Sequence, residues 1–450
     1  MKLKGYPGDV LLLGVFLLPV MVTVPGLPWG AQDRLYSLAE LVGVLALSAF
    51  LLAGMLSARI PGTDLWFGGL VRVWTLHRWL GFSAFMLVMA HVLLLALATL
   101  FLSLGQSIET LFPPLSHWPV WIGWAAFVTM LVFIAPTLNF CGTLHYQRWK
   151  RLHLLSAPAL LLMLLHTLML SSVAWVWWWW SALAFMAIAW RKGLSPWLAR
   201  KPYVVAAVDV LARDVVELCL RPRGKGIRWR AGQFVYLTPM DRSLAAGYRE
   251  EHPYTIASAS SSGGDELRIG IKAVGDATRA LVNIQPGAEV RIEGPYGAFF
   301  DSPGFETSVL ETPGLETPRS ESPTPQPKQL WLAGGIGITP FVSGARDKMA
   351  TADPGPDVCL FYLANRLERA YYLDELVRIA EACDSFTVYA HYMSENGVIT
   401  RDYLAQHCAD FAEREVYLCG PPGMITHLHT LLRHAGVPAK RIHTEAFDFL

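Results

Sequence analysis

Charge and cysteine are what this chain is short of. Only 16% of its 450 residues are Asp, Glu, Lys or Arg, and the formal net charge is +1. A soluble domain usually carries about a quarter of its residues as charges. Without a basic excess there is no electrostatic footprint for a polyanion, so a nucleic-acid partner is excluded. The cysteines number six (Cys141, Cys219, Cys359, Cys383, Cys408 and Cys419), and no two stand as Cys-x-x-Cys. That argues against a thiolate-held iron–sulfur cluster or a structural zinc site. No acidic loop with calcium-ligand spacing occurs, so constitutive activity is the expectation.

Apolar sequence is what the chain has in excess. Hydrophobic residues make up 53%, tryptophans number 17, and mean hydropathy is +0.35. Six segments are apolar enough to be membrane spans: about 8–25, 35–56, 77–103, 118–137, 153–171 and 173–190. The first follows Lys2 and Lys4 as a signal sequence would. Pro25, Pro28 and Trp29 stand where a cleavage site is expected, so it reads as an uncleaved anchor.

The basic residues set the orientation. With a cytoplasmic N-terminus, the inner side holds Lys2, Lys4, Arg59, Arg72, Arg78, Arg148, Lys150, Arg151, Arg191, Lys192, Arg200 and Lys201, and the outer side holds only Arg34. A multi-pass protein of a bacterial-type cytoplasmic (inner) membrane follows, with both termini cytoplasmic and the lipid bilayer as its first partner. All six cysteines then fall on the cytoplasmic side, where disulfides are rare.

Two of these spans carry paired histidines. His77 and His91 are 14 residues apart, and His153 and His166 are 13 apart. A lone histidine in an apolar helix is commonly a hydrogen-bonded packing residue; four in matched pairs ask for a function. Each pair spans roughly 20 Å of helix axis. Two such helices side by side can hold two stacked haems, each iron taking one imidazole from each helix. Spans three and five run the same way, which pairs His77 with His153 and His91 with His166. Helical phase supports one pair better than the other. Fourteen residues return to within about 40° of the same face, whereas thirteen miss by about 140°. Pro158 lies between His153 and His166 and could change that phase.

Beyond Arg191–Lys192 the pattern changes. Residues 203–300 alternate apolar and polar in short runs separated by turns, the signature of a small antiparallel β-barrel. Residues 301–328 are rich in Pro, Ser, Thr and Glu and read as a flexible linker with an imperfect ET-P repeat. From 329 on, strand, Gly-rich turn and helix succeed one another, as in an α/β nucleotide-binding domain. Gly334, Gly335 and Gly337 directly follow an apolar strand and precede a helix. There the missing side chains let backbone approach a pyrophosphate. The expected domains are 1–192 (six-span bundle with the paired histidines), 200–300 (antiparallel β-barrel), 301–328 (linker) and 329–450 (nucleotide-binding α/β domain).

Taken together, these motifs resemble the NADPH oxidase and ferric reductase superfamily, a haem-binding transmembrane domain fused to a ferredoxin-NADP reductase-like module. The resemblance covers nearly the whole chain apart from the first span and the linker. It implies two b-type haems on His77, His91, His153 and His166. It also implies FAD against His252-Pro253-Tyr254-Thr255, with Tyr254 on the isoalloxazine ring and Thr255 near its reactive nitrogen. Lys272, Gly275 and Thr278 match the FAD pyrophosphate segment. Gly334 to Pro340, including Thr339, match the pyridine-nucleotide loop. Cys419, Gly420 and Pro421 match the turn beside the nicotinamide. Glu445 and Phe447 match the Glu-x-aromatic ending in which the aromatic covers the flavin; Phe449 is the competing cover. Arg366 follows the second strand of this domain, where it can pair with a 2′-phosphate, favouring NADPH with NADH as the alternative.

The implied path runs from NADPH through FAD and the two haems to an external acceptor, with FAD as the converter of hydride into single electrons. Arg72, Arg78, Lys150 and Arg151 are candidates for haem propionates. The preferred acceptor is oxygen, giving superoxide by an outer-sphere route if both irons carry two imidazoles. The outer loops are short and offer Asp33, Glu109 and His117, a poor ferric-chelate site. A ferric chelate and an extracytoplasmic partner protein remain the alternative acceptors.

Overall fold

The computed structural model describes residues 6–30, 33–60, 62–137, 146–260, 266–300, 327–350 and 355–445. The linker segment 301–326 and the ending with Phe447 and Phe449 lie outside the described residues. The chain divides into two compact units, with the boundary between Trp197 and Leu198.

The first unit is helical: α1 (Pro7–Thr23), α2 (Arg34–Leu56), α3 (Leu70–Leu100), α4 (Leu104–Leu111), α5 (Trp118–Ile134), α6 (Tyr146–His153), α7 (Ser156–Leu170), α8 (Ala174–Ala189) and the short α9 (Ser195–Leu198). Five stretches are long and apolar enough to cross a membrane, with α6 and α7 counted as one. The sixth expected span, α8, is shorter at 16 residues, or about 24 Å of axis. Met86, Leu93, Trp178 and Trp179 face outward from α3 and α8. Such exposure of large apolar side chains suits a lipid solvent rather than water. The interior is built from Leu47, Phe50 and Leu51 of α2, Phe85 of α3, Met130 and Phe133 of α5, and Trp177 and Trp180 of α8.

The span expected over 153–171 is not one helix. Helix α6 ends at His153, and the chain turns through Leu154 and Leu155 before α7 begins. Tight bonds from Leu154 N to Arg151 O (3.2 Å) and Leu155 N to Leu152 O (2.9 Å) make this turn. Pro158, four residues after Leu154, accounts for the break. It has no N–H to offer Leu154 O and its ring crowds that carbonyl, so the turn before it tightens and Ala157 N takes Leu154 O at 3.3 Å. The thirteen-residue phase mismatch therefore does not apply, because no continuous helix joins the two histidines.

The second unit holds two layers of sheet. Strands β1 (Arg200–Ala212), β2 (Val215–Pro222), β3 (Phe234–Pro239), β4 (His252–Thr255), β5 (Leu267–Lys272) and β6 (Glu289–Tyr296) form an antiparallel sheet in the order β4-β3-β6-β1-β2-β5. A single bridge from Ile256 to Ile269 joins the two edges, curling the sheet towards a barrel. The short helix α10 (Asp276–Leu281) follows β5.

A parallel sheet comes next, β7 (Gln329–Gly334), β8 (Val358–Ala364), β9 (Phe386–Tyr392), β10 (Glu415–Cys419) and β11 (Ile442–Glu445), ordered β11-β10-β7-β8-β9. Helices α11 (Thr339–Ala350), α12 (Leu373–Ala382), α13 (Met393–Asn396), α14 (Arg401–His407) and α15 (Pro422–His434) connect its strands. Strand order reverses between β7 and β10, and in open α/β sheets ligands bind at such a switch point.

An ion network ties barrel to α/β layer. Arg346 on α11 reaches Glu375 on α12 at 2.6 Å and Glu217 on β2 at 2.9 Å, and donates to Ala257 O at 3.0 Å. Glu217 is buried and also takes Arg268 at 3.1 Å. Removing one partner of a buried pair leaves a charge without compensation. Arg346→Met should therefore cost about 3 kcal/mol, seen as a lower unfolding temperature with earlier flavin release. An unchanged transition would show that the network contributes little.

Candidate functional site

The histidines come together in the pairs expected. The His77 and His153 rings have centroids 6.1 Å apart. His153 also stacks on Trp149 at 5.1 Å and meets Phe133 edge-on at 5.6 Å. His91 and His166 are close enough to interact electrostatically. All four are half-buried.

Three imidazoles are anchored alike. His77 Nδ1 lies 2.8 Å from Ala53 O, His91 Nδ1 lies 2.7 Å from Ala39 O, and His166 Nδ1 lies 2.7 Å from Pro119 O. A carbonyl only accepts, so each Nδ1 carries the hydrogen and donates, and Nε2 keeps its lone pair. That tautomer and fixed ring orientation suit a metal-ligating imidazole. The donor set therefore fits two haems, each held by two imidazoles. Among the described residues no three His, Cys, Asp or Glu side chains converge; the histidines stand as pairs. The acceptor carbonyls were missed by sequence reasoning, since a main-chain acceptor on a neighbouring helix leaves no residue signature.

Arg72, a candidate for a haem propionate, is engaged elsewhere. It makes a two-pronged ion pair with Asp9 at 2.8 Å, donates to Phe67 O at 2.8 Å, and lies over the Tyr6 ring. It holds α1 against α3.

In the second unit, β4 places the His252–Thr255 run beside β3, with Tyr254 opposite Val235 and Thr255 opposite Phe234. Tyr254 and Thr255 are buried. The Tyr254 hydroxyl has no hydrogen-bond partner among the described residues, and burial pushes its pKa well above the ordinary phenol value, keeping it protonated. An orphaned buried hydroxyl fits a site awaiting a polar ring system. His252 lies 3.5 Å from Glu250, and Pro253 pairs with Tyr236.

Thr278 serves its own turn. Its hydroxyl accepts from the amides of Val274 and Gly275, both at 2.9 Å. A side chain at Gly275 would meet nothing within 4 Å, so that face of the turn is open. Lys272, at the end of β5, lines the cleft described next.

That cleft has a volume of about 580 Å³ and is lined in part by Lys272, Gly334, Gly335, Asn365, Arg369, Tyr371 and Pro421. It opens at the switch point between β7 and β10. A Cβ on Gly337 would fall 2.6 Å from Cys419 O and 2.7 Å from Gly420 N, so the two loops pack backbone to backbone. Gly335 adopts φ +55°, the left-handed conformation that glycine permits. Thr339 and Pro340 open α11, where proline is accommodated in the first turn. Arg366 is exposed and does not line the cleft; its neighbour Asn365 does. Arg369 lines it too, while paired to Asp214 at 2.6 Å.

Cys419 and Glu445 sit side by side on β10 and β11. Both are buried. Burial, with Glu445 beside it, pushes the Cys419 thiol well above its usual range, so it is neutral rather than nucleophilic. Burial pushes the Glu445 carboxyl up to about 8. Its Oε1 lies 3.5 Å from where a Cβ on Gly297, just past β6, would be. The carboxyl thus reaches the end of the barrel.

Comparison with known proteins gives three matches along the chain. Residues 42–164 match the family "Ferric reductase like transmembrane component". Residues 200–299 match the family "FAD-binding domain", and residues 331–430 match "Oxidoreductase NAD-binding domain". Among curated relatives, the reductase component of propane 2-monooxygenase from Mycolicibacterium goodii is 27% identical over 259 residues, covering 54% of this chain and 66% of the relative. Ferredoxin–NADP reductase B of Sorangium cellulosum is 28% identical over 262 residues, covering 54% of this chain and 96% of the relative. Among solved structures, the Amycolatopsis cytochrome P450 reductase GcoB aligns with TM-score 0.43 and 22% identity, over 55% of this chain and 69% of that one.

The raised carboxyl has a consequence for stability. Glu445 is neutral in the folded chain until pH about 8, whereas an ordinary glutamate ionises near 4.5. The folded state binds the extra proton, so stability falls as pH rises from the lower value through the upper one. Glu445→Gln, isosteric and always neutral, should flatten that slope, matching the parent near pH 4 and exceeding it above pH 8. Thermal unfolding across pH reads this; parallel curves would place the carboxyl in water.

Proposed function

Because the chain has the ferric reductase and NADPH oxidase type of fusion architecture, we propose that it takes electrons from NADPH on the cytoplasmic side of a membrane and delivers them to oxygen on the far side, giving superoxide. The observation that carries this reading is the pairing of four imidazoles, three on the apolar helices α3 and α7 with Nδ1 fixed on a main-chain carbonyl, and the fourth, His153, at the end of α6. His77 with His153 would hold one b-type haem, and His91 with His166 the other. Bound in their sites, FAD would convert a hydride into single electrons and the haems would supply one-electron centres.

The chain's own residues have separable tasks. Ala53, Ala39 and Pro119 orient imidazoles through their carbonyls. Tyr254 and Thr255 form the flavin-facing wall of the barrel. The Gly334–Pro340 loop approaches the nucleotide pyrophosphate, and the neutral Glu445 carboxyl keeps a proton at the end of the barrel near neutral pH. The excess of Lys and Arg on the inner loops supports an inward-facing nucleotide module. Short outer loops without a chelate-binding cluster favour a small diffusible acceptor.

Two measurements test this. Purified protein carrying haem and FAD should oxidise NADPH in air with a matching, dismutase-sensitive superoxide signal. Negligible turnover in air, restored anaerobically by a ferric chelate, would instead make it a ferric-chelate reductase. Arg366→Ala should raise the KM for NADPH about tenfold while leaving NADH unaffected, as loss of a charge-assisted 2′-phosphate contact requires. Equal effects on both nucleotides would remove Arg366 from that role.

A further inference from the structure

The acceptors of His91 and His166 share a sequence spacing. His91 donates to the carbonyl of Ala39 on α2, and Gly43 stands four residues on. His166 donates to the carbonyl of Pro119 on α5, and Gly123 stands four residues on. In a helix the carbonyl of residue i points towards the amide of residue i+4. A donor from a neighbouring helix must therefore reach the oxygen alongside the Cβ position of that later residue.

Both glycines occupy that approach. A Cβ on Gly43 would lie 3.0 Å from His91 Nδ1 and 3.1 Å from its Cε1. A Cβ on Gly123 would lie 2.7 Å from both the Nδ1 and the Cε1 of His166. Either approach is closer than ordinary van der Waals contact. Other glycines in these spans differ. A Cβ at Gly54 meets only Leu160 Cδ2 at 3.9 Å, and one at Gly81 meets nothing within 4 Å. At His77 the acceptor, Ala53 O, lies in the last turn of α2, and position i+4 is the C-cap Ser57.

We propose that Gly43 and Gly123 are matched positioning residues, each opening a helix surface so that an imidazole of the outer pair can dock on the carbonyl one turn back. The docked ring has its tautomer set and its plane fixed by two neighbours, the carbonyl and the bare glycine Cα. The two seats lie on different helices, α2 for His91 and α5 for His166, and together they orient the outer ligand pair. This rests on the di-haem reading above and adds how the ligands of one of the two haems are held.

The test uses the full chain, purified with its cofactors, and compares Gly43→Ala and Gly123→Ala with Gly54→Ala and Gly81→Ala. His91→Ala and His166→Ala serve as references for loss of the outer pair. Haem and FAD content and the low-spin electron paramagnetic resonance spectrum are read on each. Gly123→Ala is expected to lose about half of the haem, as the His166 reference does, because a methyl 2.7 Å from Nδ1 and Cε1 must push the ring off its carbonyl seat. Gly43→Ala, with the looser clash, should retain more haem but with the outer low-spin signal shifted. FAD content should be unchanged throughout, and the two control variants should match the parent.

Full haem content with an unaltered signal in both seat variants would overturn the proposal. So would loss of haem and FAD together, which would mark the glycines as general packing residues. Failure of the underlying reading looks different. The parent itself would then lack haem, and the histidine variants would not differ from it.

Discussion

A hydrogen bond from imidazole to main-chain carbonyl, made inside an apolar medium, is the interaction on which the membrane half of this protein depends. In water a histidine keeps either tautomer and several orientations. Inside a bilayer an unpaired ring nitrogen is costly, so Nδ1 must find an acceptor, and the helical carbonyls of a neighbouring span are the acceptors within reach. Once Ala53, Ala39 and Pro119 take that role, Nε2 is the lone pair left for chemistry. The side-by-side packing of α2 with α3 and of α5 with α7 then serves two ends, since the contact that packs the helices also aims the imidazoles.

The second unit solves a different problem with different means. Its cleft needs backbone at close quarters, and it obtains this by packing Gly337 against Cys419 and Gly420 at the point where strand order reverses. The buried Glu445 carboxyl stays neutral because it is dry, and the buried Arg346–Glu217 pair holds the two sheets of the unit together. Low dielectric thus acts in both units, in one on an imidazole tautomer and in the other on a proton.

Much of this was legible in the sequence where the signal is periodic or local. The apolar runs, the two histidine pairs, the alternating strands after Arg200 and the glycine run after Leu332 each announce their element. The break at Leu154–Leu155 had its trace in Pro158, which withholds a donor from Leu154 O and crowds it, but its position was not legible, because a proline can also sit in an unbroken first turn. The Arg72 pairing with Asp9 and the Arg346 hub join residues far apart in sequence, and charge alone does not say which partners meet. Thr278 matches the FAD pyrophosphate segment, and the residue type alone does not say that its hydroxyl accepts from the amides of Val274 and Gly275 in its own turn. Gly43 and Gly123 had a faint trace in the sequence, the shared spacing of four from Ala39 and Pro119. Only the position of the imidazoles gives that spacing a meaning.

Transmembrane electron delivery is the central claim, and sidedness tests it most directly. The protein would be sealed in vesicles with its nucleotide module facing outward, a membrane-impermeant superoxide reporter trapped inside, and NADPH added outside. The account predicts that the trapped reporter is reduced, with dismutase effective only when it is trapped as well. Reduction confined to reporter on the same side as NADPH would contradict it, placing the exit of electrons at the flavin rather than across the membrane.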